Sequence, residues 1–337
     1  MIKMLLLSLL KALGLFILAQ KITARRPRIL CYHGIAVDDE YKFSPGVFMQ
    51  SATFDRRMAL VKKWGYSPVS LDELYQQHQA GQYQKNTLVI TIDDGWAAIE
   101  QGMLPSLKKY GFCATLYLSS YYVINQRPVF KLSVYYLFWK YKGPFTLADN
   151  SCLKPHTTLQ QLSINDVLSL AAELGSAYEQ PILQELADCF GEDIALWQQN
   201  GKLMFLSAEQ VTALAAQGLN IELHTHRHKF SELNLTDAAK ELADNQHYIL
   251  QLTGRAARHF CFPRGEYQPE QLPLLTAQQL KTATTTENEL VARQSPLLTL
   301  PRLVDNDKVS ELEFEAELSG MMTLLRLAAA PFKRDKK

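Results

Sequence analysis

The segment His224–Phe230, HTHRHKF, places histidines at positions 224, 226 and 228. A neutral imidazole nitrogen is a good ligand for divalent transition metals. His224 and His228 are four residues apart, and across a strand-to-loop turn they can close on one point. Alone, such a tract reads equally well as a solvated surface run. A second feature gives it weight: Asp93-Asp94 closes the apolar, β-branched run TLVITIDDG. Unpaired charge at the end of a core strand is costly, so burial does not explain two adjacent carboxylates there. A helix N-cap followed by a turn at Gly95 accounts for one of them, less readily for both. Neighbours on a strand point to opposite sides, so one aspartate can serve a metal and the other a water. Two imidazoles and one carboxylate, with further positions left to water or substrate, make an open catalytic metal centre.

These groups need a scaffold that brings distant strand ends together. From Arg28 onward, strand-like and helix-like segments alternate. RILCYHGI reads as a buried strand. SATFDRRMALVKKWGY carries a helical stripe of Phe54, Met58, Val61 and Trp64, with Ser51 as N-cap and Gly65 as stop. SLDELYQQH opens with Ser70 and Glu73 in capping-box spacing. After TLVITIDDG come a helix to Tyr110 and the strand FCATLYLS. Later come a capped helix starting SAEQVTALAAQG, the strand NIELHTH and a long helix from near Thr236 to Leu252. The short strands RHFCFP, KTATTT and LLTLPRLV follow, then a closing helix from near Val309. Repeated β-α units imply parallel strands with helices outside. Seven or so strands suit an α/β barrel better than an open sheet, and functional groups of such a barrel collect at the C-terminal strand ends. Residues 125–205, rich in Phe, Tyr and Trp and then helical, break the rhythm and read as an insertion. It is either a helical subdomain with its own core or a lid and apolar platform for a lipid-linked substrate.

TIDDG (Thr91–Gly95) and HTHRH (His224–His228) resemble the first two motifs of the polysaccharide deacetylase family, the NodB-homology or carbohydrate esterase 4 group. The patterns are T-[FI]-D-D-G and H-[ST]-x-x-H, and the resemblance runs from near Arg28 to near Val304 with the insertion set aside. It implies a distorted (β/α)7 barrel of the NodB type. It implies metal-dependent hydrolysis of an N-acyl, usually acetyl, group on an N-acetylated sugar, polysaccharide or glycolipid. Carried over residue by residue, Asp93 would be the general base. Asp94, His224 and His228 would bind a divalent metal, zinc before other divalent transition metals. Thr225 would support the second histidine by hydrogen bonding, and His226 and Arg227 fall at variable positions. YHG at Tyr32–Gly34 is similar to a Tyr-His subset of the family and puts His33 on the same rim, as an acid or a supporting group. The third motif, often R-x-P-[YF], reads CFPRGEY, with Cys261 in place of the arginine and Arg264 in place of the aromatic residue. Pro263 and Gly265 keep the loop shape, and Pro263, Arg264 and Gly265 are candidates for contacts to substrate or oxyanion. The last motif has no clear match, and LPRLVD stands in its place. Arg302 is the candidate for the missing positive charge, and His33 for the missing acid.

Composition sets outer bounds. Of 337 residues, 47% are hydrophobic and 20% charged, which predicts a packed core. A net charge of +1 gives no case for a nucleic-acid partner. The five cysteines lack a CxxC pair and read as buried free thiols of a reducing compartment, none of them a nucleophile. Residues 4–19 are apolar apart from Ser8, Lys11 and Gly14, short for a membrane span and without a clean cleavage site. Lys21, Arg25, Arg26 and Arg28 follow the run, which predicts a body on the cytoplasmic face of the inner or plasma membrane. The alternative is an exported protein anchored by this segment. The expected division is 1–24 as a membrane-associated helix, 28–124 with 206–310 as the barrel, 125–205 as the insertion, and 311–337 as a C-terminal helix and basic tail. The expected partners are an N-acetylated sugar, glycan or lipid-linked sugar and a membrane surface. Two other functions fit the same residues: a deformylase or O-esterase, and a catalytically weak barrel that binds glycan or glycolipid at the membrane.

Overall fold

The computed structural model describes residues 2–333; the end of the basic tail, 334–337, lies outside the described residues. Eight strands share one sheet: β1 (Arg28–Tyr32), β2 (Ser67–Pro68), β3 (Thr87–Ile92), β4 (Thr115–Leu118), β5 (Asn220–Leu223), β6 (His259–Cys261), β7 (Thr282–Thr284) and β8 (Leu303–Val304). Every pairing between them is parallel. The order is β7-β6-β5-β4-β3-β1-β8, with β2 beside the N-terminal half of β3. Leu300 bridges Thr284 in parallel, so the segment entering β8 also meets β7 and draws the two edges together. The sheet thus curls into a distorted α/β barrel with helices outside. β1 and β3 are buried along their whole length, which is why they read as apolar runs rather than alternating ones.

Local signals hold in most places and shift in two. The Ser70/Glu73 capping box is formed. The preceding helix signal moves by one residue: Gln50 stands at the N-cap position of Ser51–Lys63 without a side-chain bond to the helix, and the Ser51 hydroxyl donates to the Gly102 carbonyl. LLTLPRLV is a strand only at its end, because Leu297–Thr299 forms a 3-10 turn and Pro301 has no N–H to donate. The five cysteines are free; Cys31 and Cys261 are buried, Cys113 and Cys152 half-buried. Cys189 departs from the expected burial and is exposed on the helix Glu179–Phe190.

Within 125–205 the main helices are Phe130–Tyr141, Ile164–Leu174, Glu179–Phe190 and Ile194–Asn200. Their buried Val134, Leu183 and Trp197 belong to the same hydrophobic cluster as Ile92 and Leu118 of the barrel, so this segment has no separate core. The buried Lys202 ammonium lies over the Tyr136 ring, 4.8 Å from its centroid, and 3.4 Å from Asp38. That contact ties the segment to the loop after His33.

The chain opens with two helices, Ile2–Ala12 and Leu15–Ile22, bent by 80° at a left-handed Gly14. Leu7, Phe16 and Ala19 pack on Ala316 and Met321 of the C-terminal helices. The opposite face leaves Ile2, Leu5, Leu9, Leu13, Ile17, Leu18 and Ile22 exposed. Among the described residues no single helix is long and apolar enough to cross a membrane.

Candidate active site

β3 delivers Asp93 and Asp94 to the C-terminal rim. Asp93 is buried and meets Arg302 in a two-pronged ion pair, Nη1 to Oδ1 at 2.7 Å and Nη2 to Oδ2 at 2.8 Å. Arg302, fully buried, is aligned by bonds from Nε to the Thr285 carbonyl (2.8 Å) and from Nη1 to the Thr91 hydroxyl (3.1 Å). Its Nη2 also lies 3.1 Å from the Cys261 sulfur. The small thiol at the third motif leaves room that a guanidinium fills from the segment entering β8. Burial pushes the Asp93 carboxyl up, but the charge and hydrogen bonds of Arg302 outweigh it and hold the group at about 2. The thiols of Cys31 and Cys261 flank Oδ2 at 3.6 and 3.5 Å. Burial raises the Cys31 thiol, so it stays protonated and donates.

Asp94 turns the other way. Its Oδ2 accepts from the Trp96 indole at 2.9 Å, which leaves Oδ1 free to face the histidines. His224 Nε2 lies 3.3 Å and His228 Nε2 3.4 Å from that oxygen. His224 Nδ1 donates to the Cys261 carbonyl at 2.8 Å, so Nε2 is the nitrogen that faces Asp94; it donates to that carboxylate when protonated and offers its lone pair once a cation takes the proton's place. One ligand atom from each of the three residues lies within 4.8 Å of the others. Two neutral imidazole nitrogens and a carboxylate oxygen converging from one side fit a divalent cation. Asp93 can be grouped with Cys31 and His33, or with His224 and Cys261, but its carboxylate is already neutralised by Arg302. A cation there would face a guanidinium, so Asp94, His224 and His228 are the fitting set. Burial opposes the charge on Asp94, and the two histidines hold it well below the usual carboxylate range.

The backbone is bent to reach this arrangement. Asp94, Thr225 and His228 have φ of 74°, 65° and 57°. Positive φ is costly for residues other than glycine and clusters at functional sites. Thr225 accepts from the Lys229 N–H at 3.1 Å, so it holds His228 by closing the loop and not through the imidazole. The helix Leu235–Thr253 props the same loop. Asn245, fully buried, accepts from the His224 N–H (3.0 Å) and donates to the Leu118 carbonyl (2.9 Å) and the Ser120 hydroxyl (3.0 Å). Glu241 binds the Arg227 N–H and guanidinium. Trp96 and Asn245 escaped the sequence reading. Asn245 left a signal, since it interrupts the buried stripe Ala238, Leu242, Ile249 with an amide.

The remaining candidates sit around this centre. His33 Nε2 is 3.8 Å from Asp93 Oδ2 at a half-buried position on the open side. His226 turns away to the Ser120 hydroxyl, 2.9 Å from Nδ1. Pro263 is buried in the 3-10 turn Pro263–Gly265. At Gly265, φ is +74° and a Cβ would fall 2.2 Å from the Thr286 hydroxyl, so only glycine fits. The Arg264 side chain points outward to Glu232 (3.2 Å) and Glu266 (3.6 Å), away from Asp93.

Solved structures share this architecture. The deacetylase PplD of Streptococcus pyogenes is 17% identical with a TM-score of 0.59, over 87% of this chain and 98% of that one. IcaB from Ammonifex degensii is 15% identical with a TM-score of 0.56, over 88% and 97%. A de-N-acetylase from Aggregatibacter actinomycetemcomitans is 12% identical with a TM-score of 0.55, over 87% and 99%. At these identities the likeness is one of fold. No curated protein sequence matches the chain. The profile of the family described as polysaccharide deacetylase matches residues 80–283, a stretch that holds Asp93, Asp94, His224 and His228 together with the third-motif loop. That match spans more than half of the sequence, and the chain belongs to the polysaccharide deacetylase family.

Proposed function

We propose that the chain removes the acetyl group from an N-acetylated sugar, on a glycan or lipid-linked sugar presented at a membrane surface, using one divalent metal. The observation that carries this is the convergence of Asp94, His224 and His228 beside an ionised Asp93. The metal, zinc first among divalent transition metals, would be held by those three residues and would supply Lewis acidity to the amide carbonyl and to a water. Asp93 accepts the proton of the attacking water. Arg302 fixes that carboxylate in place and keeps it charged. His33 Nε2, 3.8 Å from Asp93 Oδ2 on the open side, stands where it receives that proton and passes it to the leaving amine. In the Pro263–Gly265 turn the Gly265 N–H is taken by the Phe262 carbonyl at 2.8 Å. The Arg264 N–H is the remaining donor there for a developing oxyanion.

Membrane placement is supported by the exposed apolar face of residues 2–22. The free cysteines and the basic residues after Ile22 favour the cytoplasmic face. The test is released acetate from a panel of N-acetylhexosamine compounds with metal content measured alongside, and with N-formyl and O-acetyl analogues as competitors. Acetate release from the N-acetyl compounds supports the reading. Turnover only of the formyl or ester analogues replaces it.

A further inference from the structure

A cleft at the other end of the barrel carries guanidinium groups that hydrolysis does not use. Arg25 and Arg26 lead into β1 and Tyr83 into β3, so it opens at the N-terminal strand ends, opposite the metal centre. Its volume is about 550 Å³, and Arg25, Arg26 and Arg293 line it. Arg25 donates to the Tyr83 carbonyl at 3.0 Å and Arg26 to the Leu290 carbonyl at 3.2 Å. Arg293 reaches over Gly81, its Nη2 3.7 Å from where a Cβ would stand. Several other surface arginines find acids, as Arg227 does with Glu241 and Arg255 with Glu222, while Arg56 meets only the Thr53 hydroxyl. Among the described residues no carboxylate pairs with any of these three, and Arg26 Nε is buried without a hydrogen-bond partner. Three uncompensated guanidinium groups facing one cleft suit a phosphate, which accepts their planar, paired donors.

The source of that phosphate follows from what adjoins the cleft. Ile22 is 62% exposed, Leu18 51% and Ile17 55%, and Arg25 follows Ile22 by three residues in the chain. Apolar side chains that enter an acyl layer next to cations that meet headgroups are the signature of an interfacial anchor. We propose that the Arg25/Arg26/Arg293 cleft binds the phosphate of an anionic phospholipid and so docks the N-terminal helix pair on an anionic bilayer. This rests on the membrane placement above and adds its ligand; it is independent of the chemistry.

The test is co-sedimentation of the full chain with phosphatidylcholine vesicles, with and without phosphatidylglycerol, at about 150 mM salt. Each basic group near an anionic surface is worth roughly five-fold in partitioning. The wild type is expected to bind the anionic vesicles about ten-fold or more tightly than the neutral ones. Arg25→Gln with Arg293→Gln is expected to lose about ten-fold or more on anionic vesicles only, with turnover of a soluble substrate unchanged. Arg25→Glu alone, at an exposed side chain, gives the same reading should the double variant fold poorly. Inorganic phosphate at about 50 mM, compared with chloride at equal ionic strength, is expected to weaken binding of the wild type to the anionic vesicles and to leave binding of the double variant unchanged. Equal binding to both vesicles, no effect of the substitutions, or indifference to inorganic phosphate overturns the proposal. A wild type that binds no vesicle overturns the membrane placement with it. Failure of acetate release would overturn the catalytic reading and leave the lipid result standing.

Discussion

Arg302 and Asp93 form a buried, two-pronged ion pair, and the ionised state of Asp93 follows from it. Removing one partner of such a pair strands the other as an uncompensated buried charge, at a cost of about 3–5 kcal/mol. Arg302→Met is therefore expected to lower the melting temperature sharply and abolish turnover; a variant that melts with the wild type would contradict the pairing. The pH dependence has a definite sign. The folded Asp93 is held at about 2, below its ordinary value near 4, so the stabilisation is present above pH ~4 and lost as pH falls toward 2. That difference is worth on the order of 2–3 kcal/mol. Denaturant midpoints measured from pH 5 to 2 should fall for the wild type and fall less steeply for Asp93→Asn. Only part of this was legible in the sequence. Cys261 at the arginine position said that a positive charge was missing from the third motif. Arg302 was legible as the candidate to replace it; its two-pronged seat on Asp93, in the space beside a small thiol, is a matter of three-dimensional packing.

The helix Leu235–Thr253 shows how an element far from the rim shapes the metal set. Asn245 on its buried face makes three hydrogen bonds that hold the His224 backbone against the end of β4. Groups that orient a ligand from behind typically carry 10–100-fold of metal affinity. Asn245→Ala is expected to weaken metal binding by about that factor, and to cost roughly 2–3 kcal/mol of stability through stranded buried donors and acceptors. Chelator competition together with thermal melts checks it, and unchanged affinity would mean the loop holds itself. The buried strands, the capping boxes at Ser70 and Ser207 and the long helix were readable because periodicity and capping chemistry are local. The brevity of β8 and the support from Asn245 were not, because one turns on a bond that a proline removes and the other on a partner distant in sequence; Trp96 lies two residues from Asp94, and its indole reaches that carboxylate only through the left-handed turn at Asp94.

At the scale of the whole molecule, the N-terminal helix pair has one face committed to the C-terminal helices and one face uncovered. Deleting it would expose Met321, Ala316 and Trp64, so truncation would mix anchoring with folding. Point charges separate the two. Leu9→Glu and Ile17→Glu, both on exposed side chains, are expected to change stability by no more than about 0.5 kcal/mol while lowering vesicle binding. A large drop in melting temperature would instead show that this face is packed in solution, for example against a second copy.

Two adjacent aspartates are proposed to divide the labour of base and metal ligand, and the most direct test is metal content and released acetate measured on the same samples of wild type, Asp93→Asn and Asp94→Asn. The wild type should hold one divalent metal and release acetate. Asp93→Asn should keep its metal and lose turnover by a factor of about 10² or more. Asp94→Asn should lose the metal and with it the activity. An Asp93→Asn enzyme that turns over like the wild type, or an Asp94→Asn enzyme that retains its metal, would contradict the account.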